Sequence, residues 1–193
     1  MKIQKFAAIG LVLAALLAAC SSNSATPTTA PMATATLAPS GIDWTMHGFP
    51  SVLITQDITP GNAATIEVGP YIIDVPADAF TAPVTLEVLS GDPSSFASNA
   101  PSGEVPVLAF AFDVKDANGN LIVKFNNPIT LTANDTKIFA DSKYYNVAAD
   151  GAFTENSSGL QVAAGELSHP IAGTPVGWVI TTPTAEAGTA SGG

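Results

Sequence analysis

The chain contains no arginine, one cysteine and two histidines, and only 11% of its 193 residues are charged. A single cysteine excludes an intramolecular disulfide. Together with His47 and His169 it falls short of the three or four ligands of a usual His/Cys metal site, spread as these residues are along the chain. Six lysines face 16 carboxylates, for a formal net charge of −10. Phosphate backbones are bound through Lys and Arg, so nucleic acid is excluded as an expected partner, and anionic lipid headgroups are poor candidates for the same reason. The charge is scattered rather than run together and reads as solubility. Gly-x-Ser-x-Gly, Ser-x-x-Lys and His-Glu-x-x-His are all missing. No catalytic residue, cofactor or metal ligand is therefore expected, and the chain does not read as an enzyme.

What is present begins with the cysteine. Lys2 and Lys5 form a basic start, Phe6 to Ala19 follow without a charge, and the stretch ends Leu17-Ala18-Ala19-Cys20. This is the order of a secretory signal: basic, apolar, then small residues before the cut. The apolar stretch of 14 residues is short of the roughly 20 that span a bilayer as a helix. Leu17-Ala18-Ala19-Cys20 resembles the lipobox of bacterial lipoproteins. The resemblance implies a signal helix over residues 1–19 that is cleaved off, a diacylglycerol on the Cys20 thiol and an acyl chain (palmitate or similar) on the new N-terminus. Two or three chains make a stable membrane anchor where one would not. The expected location is the cell envelope, outside the cytoplasm. Ser21 does not match an inner-membrane retention signal such as Asp, so the outer membrane is expected in a host with two membranes.

Residues 20–41 read as a tether. Seventeen of the 21 residues after the cysteine are Ser, Thr, Ala or Pro and none is charged. So little apolar surface does not offset the entropy of ordering, which predicts a disordered segment. Stiffened by Pro27, Pro31 and Pro39, it would reach at most ~65 Å at about 3.1 Å per residue. Residues 181–193 have the same composition and are expected to fray.

Residues 42–180 carry an apolar period of two. In Val107–Val114, Leu108, Phe110, Phe112 and Val114 share one face, while Val107, Ala109, Ala111 and Asp113 share the other. Val84, Leu86 and Val88 alternate with Thr85, Glu87 and Leu89, and Ile129, Leu131 and Ala133 with Thr130 and Thr132. Leu121, Val123 and Phe125 predict another strand, as do Val176, Trp178 and Ile180. Further strands are expected from Val52, Ala64, Tyr71, Tyr144 and Leu160. About ten short strands broken by Gly, Pro, Asn and Asp predict an all-β, Ig-like antiparallel β-sandwich. Asn118-Gly119 and Asp150-Gly151 predict hairpin turns, because both positions accept positive φ. Residues 90–106 form the one long irregular stretch, expected to cross loosely between the sheets or to carry binding.

Tyr71-Ile72-Ile73-Asp74-Val75-Pro76-Ala77-Asp78-Ala79-Phe80, followed by Ala82-Pro83-Val84-Thr85-Leu86, resembles the ZU5 domain and its bacterial relatives. Val75, Pro76, Ala79 and Phe80 match that family's pattern, with Asp78 in place of a glycine. Phe112 to Asn120, Asn127 to Leu131, Tyr144-Tyr145 with Asp150-Gly151, and Leu167-Ser168-His169 are similar to its later strands. The resemblance spans about Gly61 to Ile180. It implies an extracytoplasmic, ZU5-like sandwich used for protein contacts or as a spacer, without catalytic residues.

Three groups of residues invite chemistry. Ser168 and His169 are neighbours, but adjacent strand residues face opposite ways, so a nucleophile–base pair is not expected. His169 reads as a hydrogen-bonded structural histidine. Asp113, Asp116, Asn118 and Asn120 offer oxygens at alternate positions. Neither register, however, places glycine at position 6 or glutamate at position 12 of a calcium loop, so a plain hairpin is expected and a weak calcium site of another type stays open. Trp44, His47 and Phe49 are expected to plug one end of the sandwich, although sugar-binding surfaces also use such rings. The function expected is a lipid-anchored binding or structural module contacting envelope proteins. A carbohydrate-binding or accessory domain for glycans is the alternative.

Overall fold

The computed structural model describes residues 41–187. Cys20, the apolar stretch before it and the tether to residue 40 lie outside the described residues, as do residues 188–193. Within them the period of two becomes eleven strands: β1 Ser51–Ile58, β2 Ala64–Val68, β3 Tyr71–Val75, β4 Val84–Ser90, β5 Glu104–Asp116, β6 Lys124–Asn134, β7 Lys143–Val147, β8 Phe153–Glu155, β9 Gln161–Ala163, β10 Glu166–Gly173 and β11 Gly177–Pro183. They form two antiparallel sheets. One has the order β1-β4-β5-β11-β7-β8, the other β2-β3-β6-β10-β9. No helix among the described residues is long and apolar enough to cross a membrane.

The alternation on β5 explains why the sheets stack. Phe110, Phe112 and Val114 are fully buried between the sheets, beside Leu86, Ile73, Leu131 and Trp178. Ala109 and Ala111, facing the other way, are equally buried. They belong to a second apolar cluster with Trp44, Phe49, Leu89, Phe96, Val147 and Val179. The six-stranded sheet is thus apolar on both faces, and its outer face is covered by residues 42–49 and by the connection from β4 to β5.

That covering corrects two expectations. Trp44, His47 and Phe49 do not plug an end of the sandwich, since Trp44 and Phe49 lie on the sheet's outer face. Gly177 makes room there, because a Cβ on it would collide with the Phe49 ring. Nor do residues 90–106 cross between sheets. β4 and β5 pair directly within one sheet. Their connection holds a 3₁₀ turn, Pro93–Phe96, started by the Asp92 carboxylate, which accepts from the Ser94 N–H at 2.9 Å. Phe96 anchors it 5.2 Å from the Phe49 ring.

Three local expectations fail for structural reasons. Val107 was expected on the outer face, but a bulge between Ile180/Thr181 and their partners leaves it as an extra residue, and it joins Leu108 in the inner core. Leu121 to Val123 do not form a strand. After the Asn118-Gly119 turn only Lys115 and Leu121 pair as a bridge. The chain then crosses to the other sheet, tied by the Thr174 Oγ1–H donated to the Ile122 carbonyl at 3.1 Å, and Val123 stays 61% exposed. Finally, the folded part does not stop at Ile180. β11 runs to Pro183 with Thr181 and Thr182 fully buried, and a four-residue helical turn, α1 Thr184–Ala187, follows.

Residues 71–86 form the passage from one sheet to the other. β3 ends at Val75, Ala79 and Phe80 are buried, and the chain enters β4 in the six-stranded sheet.

Candidate functional site

On the inward face of a sandwich strand apolar side chains are expected, and one end of this interior breaks the pattern. His169 is in phase with buried Leu167 and Ile171 on β10, and Asn146 is in phase with buried Tyr144 on β7. Asn146 pairs in register with Trp178 of β11, so the two sheets bring Asn146, Trp178 and His169 to the same opening. A cavity of about 410 Å³ lies there, lined also by Asn156, Ser158 and three prolines, Pro128, Pro170 and Pro175. Its lining includes no Asp, Glu, Lys or Arg.

His169 is 2% exposed and stacks on Tyr144, ring centroids 4.2 Å apart and planes 12° from parallel. Neither ring nitrogen has a hydrogen-bond partner, and neither does the Tyr144 hydroxyl. His169 is buried as a structural histidine would be: its ring nitrogens meet no partner of good geometry, and the backbone of Asn156 and Pro170 supplies the polar groups that act on it. Buried polar groups without partners are uncommon and costly. Asn156 lies across the opening, its Nδ2 donating to the Asn146 Oδ1 at 3.5 Å. Burial pushes the His169 pKa below its ordinary 6.5, against the opposing pull of the Asn156 and Pro170 backbone, which keeps the ring neutral. Burial likewise raises the Tyr144 phenol well above its ordinary 10.

A pH dependence follows. The unfolded chain protonates His169 below pH 6.5, whereas the folded chain resists doing so. Any proton taken up preferentially by the unfolded state lowers stability. Tyr144, the titratable side chain stacked on the ring, stays uncharged throughout. Wild type should lose stability relative to His169→Gln as pH falls from 6.5 towards 4.5, the ordinary value for glutamate. Thermal melts of both proteins across that window check it, and parallel curves would refute it.

Ser168 faces away from His169, its hydroxyl 3.5 Å from that of Thr132 on the outer face, so the two neighbours are not brought together. Both Asp116 carboxylate oxygens are taken: Oδ1 accepts from the Asn118 and Asn120 backbone N–H groups at 2.8 Å, and Oδ2 from the Asn120 side chain at 2.9 Å. Asp113 is 2% exposed and ion-paired to Lys115. Among the described residues no group of three His, Cys, Asp or Glu side chains could hold a metal ion.

His47 is half-buried in a second cavity of about 360 Å³ between residues 45–48, the β4–β5 connection and the β7–β8 turn. There the Asn99 side chain donates to the Gly151 carbonyl at 2.7 Å.

The most elaborate polar network centres on Glu104. Its Oε2 accepts from Thr181 at 2.6 Å, both oxygens accept from the Tyr145 hydroxyl, and Lys143 lies 2.9 Å from Oε1. Burial alone would raise the Glu104 pKa, but the bonds from Thr181, Lys143 and Tyr145 outweigh it and hold the carboxyl below its usual range. Burial, then the bond to Glu104, pushes Tyr145 up to about 12. These groups tie β5, β7 and β11 together and saturate one another.

Sequence reasoning passed over Asn146, Asn156 and Trp178 as a group. Their signal was polarity on a core phase, at Asn146 beside Tyr144 and at His169 between Leu167 and Ile171. No family model and no curated protein matches the chain.

Proposed function

We propose that the chain is an exported binding module, held to the outer side of a bacterial membrane by acyl chains on Cys20 and contacting other envelope proteins. The anchor rests on the Leu17-Ala18-Ala19-Cys20 ending after a basic start and an apolar stretch. The sandwich fold, with its ZU5-like passage at Val75-Pro76, supports a module built for contact.

The observation that carries the contact is the edge strand β1. Six of its eight residues are exposed, and Val52 and Leu53 present apolar side chains to solvent at 53% and 38% exposure. One side of the strand pairs with β4; the other offers backbone groups to an extended segment of a partner, which would add a strand to the sheet. A register shift between Val52 and Ile54 leaves Ile54–Ile58 as the regular part of that edge.

Pull-down from solubilised envelope, with the folded domain as bait, tests this. Wild type should capture specific proteins, and Val52→Lys with Leu53→Lys should lose them. Melting should barely change, because exposed substitutions shift stability by about 0.5 kcal/mol or less. Equal capture by both baits would remove β1 from the function.

A further inference from the structure

We propose that the cavity between the sheets, at the His169 end, binds a small neutral ligand bearing hydroxyl groups, of the class of a single sugar residue or polyol. This rests on the reading of the domain as a binding module and adds a second, separate site to it.

The polar groups select the ligand. A neutral imidazole offers one donor and one acceptor, and an amide offers both kinds. Here His169, Asn146 and Asn156 line the cavity, Tyr144 packs behind the His169 ring outside the lining, and the two ring nitrogens of His169 make no hydrogen bond of good geometry within the protein. A hydroxyl is the group that donates to one neighbour while accepting from the next. An ionic ligand would meet no opposite charge, since no Asp, Glu, Lys or Arg lines the space. A purely apolar ligand would leave the buried donors and acceptors unpaired, which is costly.

The apolar part of the lining suits a ring with polar edges. Trp178 is held rigid by stacking on Phe110 at 5.2 Å, and the three prolines add stiff apolar walls. The volume of about 410 Å³ falls in the range of roughly 300–1,000 Å³ common for small-molecule sites.

Folding alone does not account for the arrangement. Apolar residues at 146 and 169 would continue the pattern of their strands and remove the two unpaired ring nitrogens of His169. Departures from the core pattern of this kind concentrate at functional sites.

Saturation-transfer NMR on the folded domain with glucose, galactose, N-acetylglucosamine and mannitol at millimolar concentration tests the proposal. Transfer to at least one probe is expected. Asn156→Ala, at the half-buried rim, should weaken it by about tenfold or more with melting unchanged, the effect of losing one or two buried hydrogen bonds. His169→Gln, which keeps one donor and one acceptor, should retain more binding than His169→Leu. Oligosaccharides ending in the same residue separate two sources. Transfer confined to the terminal ring marks a glycan end, and transfer to the free sugar alone marks a soluble solute.

No transfer to any of the four probes overturns the proposal. So does transfer unaffected by both Asn156→Ala and His169→Leu. In either case capture of proteins through β1 would still stand, and loss of that capture in Val52→Lys leaves the sugar result untouched.

Discussion

Replacing Phe110 by alanine is expected to bring the folded domain close to unfolding at room temperature. The Phe110 ring is fully buried and lies 5.2 Å from Trp178, 5.0 Å from Tyr71, 5.9 Å from Phe112 and 6.3 Å from Tyr144. Tyr71 comes from the five-stranded sheet and the other three from the six-stranded one, so this ring is where the two layers meet. Truncating a buried Phe to Ala costs about 3–5 kcal/mol, because transfer energy is lost and the rigid neighbours close the cavity only in part. Whole domains are stable by only about 5–15 kcal/mol. Urea denaturation of both proteins measures the difference. A loss below about 1 kcal/mol would mean that the surrounding rings collapse into the gap and that the core is not rigidly packed. The sugar site would feel the same change, since Trp178 stacks on Phe110.

The second large effect concerns the membrane. Cys20→Ser is expected to abolish membrane association, leaving either an uncleaved precursor or a released soluble protein. A serine hydroxyl is a far weaker nucleophile than a thiolate. Cys20 is the sole cysteine of the chain, so no other thiol can take the lipid. Two or more chains anchor stably, each buried CH₂ adding about 0.8 kcal/mol, and their removal turns a membrane protein into a soluble one. Detergent phase partitioning and mass spectrometry of the mature N-terminus read this directly. A mature wild-type protein with an unmodified Cys20 thiol would overturn the anchor. In a two-membrane host, density-gradient fractions should place the wild type with the outer membrane, and co-migration with inner-membrane markers would contradict the reading of Ser21.

Strand content was largely legible, because alternation survives in a sheet whatever the neighbours are. The inner face of β5 was read residue by residue from Leu108 to Val114, and the structure buries it. Ala109 and Ala111 were legible as the other face but not as buried. What covers them is residues 42–49 together with Phe96 of the β4–β5 connection, and periodicity carries no information about such a partner. Val107 could not be placed, because a bulge depends on how the β11 backbone aligns opposite it. Leu121 and Val123 alternate like a strand, yet no strand edge is available where the chain passes from one sheet to the other.

The candidate site was legible only in fragments. His169 was visible as one of two histidines, and its opposition to Ser168 followed from alternation alone. That Asn146, Asn156, Trp178 and His169 converge required the pairing of β7 with β11 and the stacking of β10 across the gap.

By itself the sequence determined the class of the fold, the position of most of its strands and the absence of familiar catalytic motifs. All of these are local properties, set by side-chain period and by turn residues within a few positions of one another. Tertiary structure alone decided which face of the six-stranded sheet is capped, where β11 ends, and which polar residues share a cavity. Those outcomes depend on contacts between segments far apart in the chain, and burial is a property of the partner as much as of the residue.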